Sequence, residues 1–460
     1  MTLIKSISGI RGTIGGKAGE TLSPLDVVKF TTGYGGWILQ NHKTAKVVIG
    51  RDARPSGEMY AKFVAQTLNT LGIEVVDLGL STTPTVEMAV IAEEAQGGII
   101  LTASHNPSGW NALKLLNDKG EFISAEEGEI VLDLAETSEV EFREPKKFAT
   151  TVEKSTYIDW HIEQVLAHDL VDLDAIKARG FKVVVDAVNS TGGIAVPKLL
   201  ERLGVEYHPM FCEPNGIFPH NPEPVPENLR QICGELETGS YDLGIVVDPD
   251  VDRLAFICEN GEPFGEEYTL VAVADYVLSQ KKGNTVSNLS STRALRDVTE
   301  KHGGEYFASS VGEVNVVSQM RAVDAVIGGE GNGGVIVPDL HYGRDALIGI
   351  ALFLSHLAKS DSSATRLRAS YPSYFISKNK IELTEDLNLN GILESIKKKY
   401  ASNPINSIDG VKIEFDKEWV HLRKSNTEPI IRIYAESDSL STADHLAQKL
   451  IMDIKEVISG

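Results

Sequence analysis

Short runs of aliphatic and β-branched residues alternate with stretches of helical periodicity along most of the chain. Residues 45–79 begin with an apolar run, pass through a loop containing glycine and serine into an amphipathic stretch, and reach a second apolar run, LGIEVV. Residues 181–211 repeat this order with LGVEY in the matching place, and residues 283–310 form a looser third copy. This alternation predicts βαβ units with parallel strands.

Each of these units leads to a further apolar run that stops abruptly at polar residues. These runs and the residues after them are GGIILTASHNP from residue 97, DLGIVVDPDVDR from residue 242 and DAVIGGEGNGG from residue 324. Ligands of open α/β sheets bind beyond the carboxyl ends of the strands. The three loops are therefore expected to face one common site.

The alternation changes after about Tyr371. The strand-like runs DGVKIEF, EWVHLRKS and IIRIYAES follow, and then a helical stretch from Ser441 to Ile458. The short DKE segment between the first two runs predicts a β-hairpin, so this region is expected to form a small α+β domain. The whole pattern predicts an α/β protein of four domains, with boundaries at residues 1–150, 151–256, 257–370 and 371–460.

Composition and charge narrow the class of protein. A chain of 460 residues is too long for one hydrophobic core, and its 42% hydrophobic and 24% charged residues are ordinary for a globular protein. The net charge of -21 argues against nucleic acid or an anionic membrane surface as a partner. No apolar stretch resembles a signal peptide or a membrane span, and the three cysteines form no CxxC pair, so a cytoplasmic location is expected.

The second of the three loops suggests a metal site. Asp248, Asp250 and Asp252 occupy alternate positions after the run LGIVV, so their side chains can point the same way in an extended segment. Three converging carboxylates repel one another unless a cation lies among them, and oxygen ligands without Cys or His favour Mg²⁺. The alternative is an acidic surface turn. Arg253, which follows directly, favours the metal interpretation because it indicates a phosphate nearby.

The third loop, Gly329 to Gly334, formally matches the dinucleotide pattern GxGxxG. A helix should then follow, but the next residues are VIVPDL with a proline, so a dinucleotide site is excluded. Glu330 and Asn332 stand between glycines and could form hydrogen bonds with sugar hydroxyls. A plain glycine turn explains the segment equally well.

A fourth segment, RKSNTEPIIR, combines residue types that bind phosphate. Two guanidinium groups, two hydroxyls and an amide are the usual means of holding such an anion. The alternative is a simple turn between strands, because Ser, Asn and Thr are common turn residues. The candidates are Arg423, Ser425, Asn426, Thr427 and Arg432.

The first loop places a serine at the end of a buried strand. Ser104 is followed by His105 and lies near Lys114 in the sequence, and Arg11 stands in a glycine-rich GIRG segment. Such a serine could be a nucleophile or could carry a phosphoryl group. A Ser-His-Asp hydrolase would have a GxSxG elbow and a nucleotide-dependent kinase a GxxxxGK[ST] loop, and the sequence has neither.

The segments TASHNP, DPDVDR, GEGNGG and RKSNTEPIIR, in this order and spacing, resemble the four active-site loops of the α-D-phosphohexomutases. The resemblance covers essentially the whole chain. It implies a heart-shaped protein in which three related α/β domains with mixed sheets are followed by a smaller, TBP-like α+β domain. It also implies that a phosphoryl group on Ser104 passes to a hexose monophosphate, giving a bound hexose 1,6-bisphosphate, and that the other phosphate then returns to Ser104.

The resemblance also implies roles for individual residues. Mg²⁺ would be held by Asp248, Asp250, Asp252 and an oxygen of phosphorylated Ser104. The remaining candidates are Arg11, Lys114 and His105 beside the transferring phosphoryl group, Lys114 as a general acid or base, Arg253 at the metal loop, Glu330 and Asn332 on the sugar hydroxyls, and Arg423, Ser425, Asn426, Thr427 and Arg432 on the phosphate that does not react.

The chain departs from the family pattern at two places. Many relatives have small glycines in the metal loop where this chain has Pro249 and Val251, so its backbone is expected to be stiffer. Some relatives place a histidine at the end of the sugar loop, where this chain has Gly334. Its acid–base role would then fall to Lys114, His105 or another group such as His341.

Three functions are compatible with these residues. The first is a phosphohexose mutase, with glucosamine 6-phosphate as the preferred substrate and glucose or mannose phosphates as the alternative. The second is a metal-dependent phosphosugar phosphatase, in which water takes the phosphoryl group from Ser104. The third, a sensor without catalysis, would not need the serine, the aspartates and the lysine together. The resemblance is compatible with a monomer or a homodimer.

Overall fold

The computed structural model describes residues 1–6, 9–137, 139–382, 389–424 and 430–459. In these ranges the chain forms four β-sheets that follow one another along the sequence and are flanked by helices. No helix in the described ranges is long and apolar enough to cross a membrane.

The first sheet has the strand order β1-β2-β6-β5-β3-β4-β7. Its strands are β1 (Ile4–Ser6), β2 (Gly9–Thr13), β3 (Ala45–Arg51), β4 (Ile73–Leu80), β5 (Gly97–Leu101), β6 (Trp110–Leu116) and β7 (Thr151–Glu153). The helices α1 (Pro24–Asn41), α2 (Gly57–Thr70), α3 (Thr83–Ala92) and α4 (Ala125–Thr137) accompany it. Strands β4, β3 and β5 are parallel, as the βαβ pattern predicts, whereas β6 runs antiparallel to β5.

The second sheet has the order β11-β10-β8-β9, with β8, β9 and β10 parallel and β11 antiparallel to β10. Its strands are β8 (Lys182–Asp186), β9 (Glu206–Met210), β10 (Leu243–Val247) and β11 (Leu254–Cys258). The helices of this region are α5 (Tyr157–Ala167), α6 (Leu173–Arg179), α7 (Gly192–Leu203) and α8 (Arg230–Thr238). Helix α7 ends at Gly204, whose φ of 71° is a left-handed conformation that glycine adopts without steric cost.

The third sheet repeats this plan with the order β13-β12-β14-β15. Its strands are β12 (Asn284–Asn288), β13 (Tyr306–Ser309), β14 (Ala325–Glu330) and β15 (Gly334–Ile336). The helices are α9 (Glu266–Gln280), α10 (Ala294–Lys301), α11 (Glu313–Ala322), α12 (Ala346–Ser360) and α13 (Ala364–Ala369). Strand β14 continues to Glu330, further than the sequence suggests, because Glu330 pairs with Gly334 across a tight hairpin.

The three candidate loops occupy the same topological position. In each sheet a central parallel strand turns back through the loop into an antiparallel strand: β5 into β6, β10 into β11, and β14 into β15. The expected equivalence of the three loops is therefore a property of the topology. The first sheet extends to β7 and the second to β11, so the predicted boundaries at residues 150 and 256 fall before their last strands end.

The fourth sheet is antiparallel throughout, with the order β16-β20-β19-β18-β17. Its strands are β16 (Phe375–Glu382), β17 (Ile405–Asn406), β18 (Val411–Glu414), β19 (Trp419–Lys424) and β20 (Ile430–Ser437), and its helices are α14 (Leu389–Lys399) and α15 (Leu440–Ser459). The predicted hairpin forms at residues 415–418, where Phe415 N donates to Glu418 O at 2.8 Å. Helix α15 matches the helical stretch predicted from Ser441 to Ile458.

One continuous hydrophobic core joins the second and third sheets. Phe256 of β11 stacks on Phe353 of α12 with 3.8 Å between ring centroids, and both contact Phe264. Two further hydrogen bonds cross this region: Leu254 N, directly after the metal loop, donates to Gly333 O of the sugar loop at 3.0 Å, and Ala346 N of α12 donates to Val251 O of the metal loop at 3.2 Å. The metal loop therefore contacts both the sugar loop and α12.

Candidate active site

Ser104 lies in the loop between β5 and β6 with its backbone in the left-handed region. Its φ is 47°, a conformation that costs a non-glycine residue about 1–3 kcal/mol unless the surroundings impose it. The surroundings do so through Arg54, whose buried guanidinium group donates to loop carbonyls at 2.5–3.0 Å. The accepting carbonyls belong to Ser104, Asn106, Pro107 and Trp110.

Asp52 in turn fixes Arg54. Its Oδ2 accepts hydrogen bonds from Arg54 Nε at 2.9 Å and from Thr102 Oγ1 at 2.7 Å. The Thr102 hydroxyl oxygen also accepts a hydrogen bond from Ser104 N at 2.9 Å. The serine is therefore held by a buried network from the loop after β3, a segment in which the sequence analysis identified no site residue.

The metal loop meets Ser104 directly. Ser104 Oγ donates to Asp248 Oδ2 at 2.6 Å. Asp248, Asp250 and Asp252 are each 0% exposed, and one carboxylate oxygen from each lies within 4.8 Å of the others. The predicted convergence of these side chains is observed, and the alternative of an exposed acidic turn does not fit their burial.

The donor set fits a hard divalent cation. Asp250 Oδ1 and Asp252 Oδ1 are buried without a hydrogen-bond partner among the described residues. Burial, followed by the charges of Asp250 and Asp252, raises the pKa of Asp248 well above its ordinary value. A cation such as Mg²⁺ among these oxygens would satisfy the unpaired atoms and compensate the repulsion.

Lys114 on β6 lies between two of the aspartates. Its Nζ donates to Asp250 Oδ2 at 2.7 Å and to Asp252 Oδ2 at 3.2 Å. Burial alone would lower the pKa of Lys114, but the two carboxylates hold this pKa above its ordinary value. Thr83, at the start of α3, adds its hydroxyl to Asp250 Oδ2 at 2.6 Å and its N–H group to Asp250 O at 2.9 Å.

The backbone of the metal loop is strained at Val251, one of the two positions in this loop where the chain departs from the family pattern. Val251 has a φ of 64°, which is an outlier for a β-branched residue. Its side chain is 0% exposed within the shared core, and its carbonyl is bound by Ala346 N. Ser190 and Thr191 hold Pro249 O through their hydroxyls at 2.7 and 2.8 Å.

In the sugar loop, Glu330 is bound mainly by the protein itself. Its Oε1 accepts from Asn288 Nδ2 at 2.8 Å and from Gly312 N at 3.1 Å. Its Oε2 accepts from Arg344 Nη1 at 3.2 Å and from Asn332 Nδ2 at 3.5 Å. The sequence analysis identified none of these partners except Asn332, because they come from separate elements of the third domain.

Two of the fourth-loop candidates lie opposite each other. Arg423 of β19 pairs in register with Arg432 of β20, and Arg432 pairs with Lys380 of β16. We call Lys380, Arg432 and Arg423 the cationic row. Arg432 Nε is buried without a partner among the residues that the structure describes. Ser425, Asn426 and Thr427 lie outside the described residues.

The candidates that can be placed, apart from the three aspartates, line one continuous cleft. A cavity of about 650 Å³ is lined by Ser104, Lys114 and Arg344, and a second of about 550 Å³ by Arg423, Arg432 and Lys378. The walls of both cavities include Arg11, His105, Arg253, Glu330 and Asn332. The aspartates lie behind Ser104 and Lys114 and do not line the cavities.

Two arginines, Arg11 and Arg253, belong to the shared wall of the cavities. Burial and the charge of Arg253 lower the pKa of Arg11, and the same two causes lower the pKa of His105 to about 2. Arg253 Nη1 reaches only Glu223 Oε1, at 3.3 Å, and Arg253 Nε has no partner in the described part of the chain. Cationic groups that face one another in this way are typical of a site for an anion.

His341 does not line the cleft. Its Nε2 lies 3.3 Å from Asp345 Oδ2, which also contacts His161 Nε2 at 2.9 Å in a buried cluster. The residues that the sequence analysis missed are Arg54, Thr83, Asn288, Glu313, Arg344 and Lys378. Arg344 belongs to the YGRD segment after the sugar loop, but nothing in that segment indicates its partners.

Known families cover most of the chain. The description "Phosphoglucomutase/phosphomannomutase, alpha/beta/alpha domain I" matches residues 3–141, domain II of the same series matches 159–261, domain III matches 265–374, and the C-terminal domain matches 380–452. The phosphoglucomutase/phosphomannomutase of Thermococcus kodakarensis is 34% identical over 98% of this chain and 99% of its own length.

A second relative carries a different substrate in its name. The phosphoglucosamine/phosphogalactosamine mutase of Sulfurisphaera tokodaii is 30% identical over 98% of each chain. Among solved structures, a phosphoglucomutase/phosphomannomutase family protein of Burkholderia thailandensis superposes with a TM-score of 0.86 at 24% identity, covering 100% of this chain and 99% of the other. The chain therefore belongs to the phosphoglucomutase/phosphomannomutase family, the α-D-phosphohexomutases, and is a phosphotransferase of the mutase type.

Proposed function

We propose that this chain interconverts the 6-phospho and 1-phospho forms of a hexose, with Ser104 as the phosphoryl carrier. The observation that carries the proposal is the arrangement of one cleft. At one end the Ser104 hydroxyl lies 2.6 Å from Asp248 Oδ2. At the other end Arg423 and Arg432 lie opposite each other on the neighbouring strands β19 and β20. Such a cleft can hold a reacting hydroxyl and a distant phosphate of the same sugar.

In the proposed reaction, the bond between phosphorus and Ser104 Oγ breaks while a bond from phosphorus to the free hydroxyl oxygen of the hexose monophosphate forms. The proton of that hydroxyl passes to Ser104 Oγ, which becomes a hydroxyl group, and it returns to the sugar oxygen in the second step. The resulting bisphosphate turns over in the cleft, and its other phosphoryl group returns to Ser104 Oγ as the sugar oxygen regains a proton. When bound by Asp248, Asp250 and Asp252, Mg²⁺ would supply charge neutralisation at the transferring group.

The side chains of the cleft supply the remaining charge and orientation. Lys114 and Arg11 would stabilise the negative charge of the transferring phosphoryl group, with His105 and Arg253 on the same wall. Asn332 would bind sugar hydroxyls together with Glu330. Arg423 and Arg432, assisted by Lys378, would hold the phosphate that does not react, which orients the other end of the sugar.

We propose glucosamine phosphate as the substrate. The carboxylate of Glu223 lines the cavity beside the cationic row and can pair with an ammonium group at carbon 2 of the sugar. Glucose and mannose phosphates are the second candidate, because the Thermococcus relative named for them is 34% identical to this chain.

The test is a panel of hexose phosphates assayed with Mg²⁺ and a trace of hexose 1,6-bisphosphate. Glucosamine 6-phosphate, glucose 1-phosphate and mannose 1-phosphate should each be isomerised, and glucosamine phosphate should have the highest kcat/KM. A neutral sugar that exceeds it by more than about tenfold, or about 1.4 kcal/mol, would reverse the substrate assignment. Release of inorganic phosphate in step with substrate loss would indicate a phosphatase instead of a mutase.

A further inference from the structure

Arg344 links three parts of the site through one guanidinium group. Its Nη2 donates to Asp252 Oδ2 at 2.7 Å, its Nε to Glu313 Oε2 at 2.7 Å, and its Nη1 to Glu330 Oε2 at 3.2 Å. Asp252 belongs to the metal loop, Glu313 begins α11, and Glu330 ends β14. Each nitrogen of the guanidinium group therefore binds a carboxylate from a different element.

The space around Gly334 is shaped by Arg344. A Cβ atom at Gly334 would lie 3.1 Å from Arg344 Cγ and 2.3 Å from Arg344 Cδ, and the second distance is shorter than real Cβ contacts. The backbone of Gly334 is not in the left-handed region, so its conformation does not require glycine. The requirement for a glycine here comes mainly from the side chain of Arg344, since the other close atom, Asn332 Oδ1, would lie 3.1 Å away.

The backbone of Arg344 is also fixed. Its N–H group donates to Glu313 Oε1 at 3.3 Å. The next residue, Asp345, caps α12 by accepting from Leu347 N at 2.8 Å and lies 2.9 Å from His161 Nε2. With its backbone and all three kinds of guanidinium nitrogen held, Arg344 has a single position that a flexible lysine could not reproduce.

We propose that Arg344 is a positioning residue that fixes Asp252 of the metal loop and Glu330 of the sugar loop relative to each other, and that Gly334 leaves the space this side chain needs. The inference rests on the proposed function for its catalytic consequence. Its structural part concerns only the geometry of Asp252 and Glu330. Displacing the guanidinium group should therefore disturb Mg²⁺ binding and turnover together.

The test is a double-mutant cycle of Arg344→Lys, Gly334→Ala and the two combined. Arg344→Lys should lower kcat by at least about tenfold and weaken Mg²⁺ binding by about 10- to 100-fold, with a smaller change in KM. Gly334→Ala keeps the charge but displaces the side chain, so it should act in the same direction. Because both changes act through one side chain, the double variant should be no worse than Arg344→Lys alone.

Arg202→Lys is the matched control. The side chain of Arg202 is 52% exposed and lies 3.9 Å from Glu163, so kcat and Mg²⁺ affinity should stay at the wild-type values. Mg²⁺ affinity is measured from the shift in unfolding temperature with added Mg²⁺, and circular dichroism checks the fold of each variant. If Arg344→Lys does not fold, Gly334→Ala alone carries the test.

Two results would overturn the proposal. One is wild-type kcat and Mg²⁺ affinity in Gly334→Ala or in Arg344→Lys. The other is full additivity of the two substitutions in the cycle. If the wild-type protein turns over no hexose phosphate, the proposed function fails, whereas the Mg²⁺ affinities of the same four proteins still decide whether Arg344 positions Asp252.

Discussion

The hydroxyl group of Ser104 donates a hydrogen bond of 2.6 Å to Asp248, a residue 144 positions further along the chain. This contact joins the first domain to the metal loop of the second. A phosphoryl group on Ser104 would bring about two negative charges to a cluster of three buried carboxylates. Phosphorylation of Ser104 and binding of a cation by the aspartates should therefore strengthen each other.

Replacement of Ser104 by alanine should abolish mutase turnover, because no other hydroxyl contacts Asp248 in the described ranges. Intact-mass analysis should show one added phosphate on the active wild-type protein and none on Ser104→Ala. The fold should persist, since Arg54 holds the carbonyls of the loop without the serine hydroxyl. Ser108→Ala, an exposed serine of the same loop, is the control and should keep both activity and phosphate. Full activity of Ser104→Ala would contradict the phosphoserine proposal.

Asp248→Asn should weaken Mg²⁺ binding by at least about tenfold and yet stabilise the metal-free protein. Burial and the neighbouring carboxylates raise the pKa of Asp248, so its ionised form opposes folding when no cation is present. An asparagine can still accept from Arg253 N and remain next to Ser104 Oγ. Unfolding temperatures with and without Mg²⁺ separate the two effects.

The matched control for this change is Asp169→Asn, which removes one carboxylate from the exposed surface. It should leave both unfolding temperatures within error of the wild type. An Asp248→Asn protein that is destabilised without Mg²⁺, or that keeps the wild-type Mg²⁺ affinity, would contradict the assignment of a cation site.

The parts of the site that follow from strand order could be predicted from the sequence. Ser104, Asp248 and Glu330 each stand at or just after the end of a β-strand, in three different sheets, and in α/β sheets ligands bind beyond the carboxyl ends of the strands. The helix of the C-terminal domain and its hairpin were predictable for a similar reason, since their periodicity is local. In each case the pattern lies within a few residues of the element that it describes.

Arg54 and Arg344 could not be predicted because their roles depend on distant partners. Arg54 binds the Ser104 carbonyl across 50 positions and Arg344 binds Asp252 across 92. An arginine in a loop is usually solvated, and no local pattern shows that its guanidinium group is buried. The same holds for Glu330: its position was predictable, but the donors that occupy its oxygens were not.

The contact between the third and fourth domains should weaken in mild acid through His421. Its Nδ1 lies 2.9 Å from Ser290 Oγ and its Nε2 2.6 Å from Asp409 O, and burial lowers the pKa of His421 to about 4. The unfolded chain has an ordinary histidine pKa of about 6.5. Between these values the unfolded state binds more protons, so stability rises with pH across the window and is lost as the pH falls.

His421→Gln removes this dependence. The unfolding temperature of the wild type relative to His421→Gln should therefore fall between about pH 7 and about pH 5, by the equivalent of about 1 kcal/mol per pH unit. His445→Gln, on the exposed side of α15, is the control and should show a constant difference from the wild type. A constant difference for His421→Gln as well would show that this imidazole is not held neutral.

Arg432→Gln should lower kcat/KM for every accepted hexose phosphate by about 10- to 100-fold, because a charge-assisted hydrogen bond to phosphate contributes about 1.5–3 kcal/mol. Part of the loss should appear in kcat, since binding of the distant phosphate orients the reacting end of the sugar. Without ligand the variant should be at least as stable as the wild type, because like charges lie directly opposite each other at Arg423 and Arg432. Added inorganic phosphate should then raise its unfolding temperature less than that of the wild type.

Lys380→Gln is the matched control. Lys380 belongs to the same row, but its side chain is 59% exposed and lies 3.3 Å from Glu382, so kcat/KM should change less than about threefold. Equal kinetics and equal phosphate stabilisation in Arg432→Gln and the wild type would mean that Arg432 does not bind phosphate, and the proposed reaction would then lack the contact that orients its substrate.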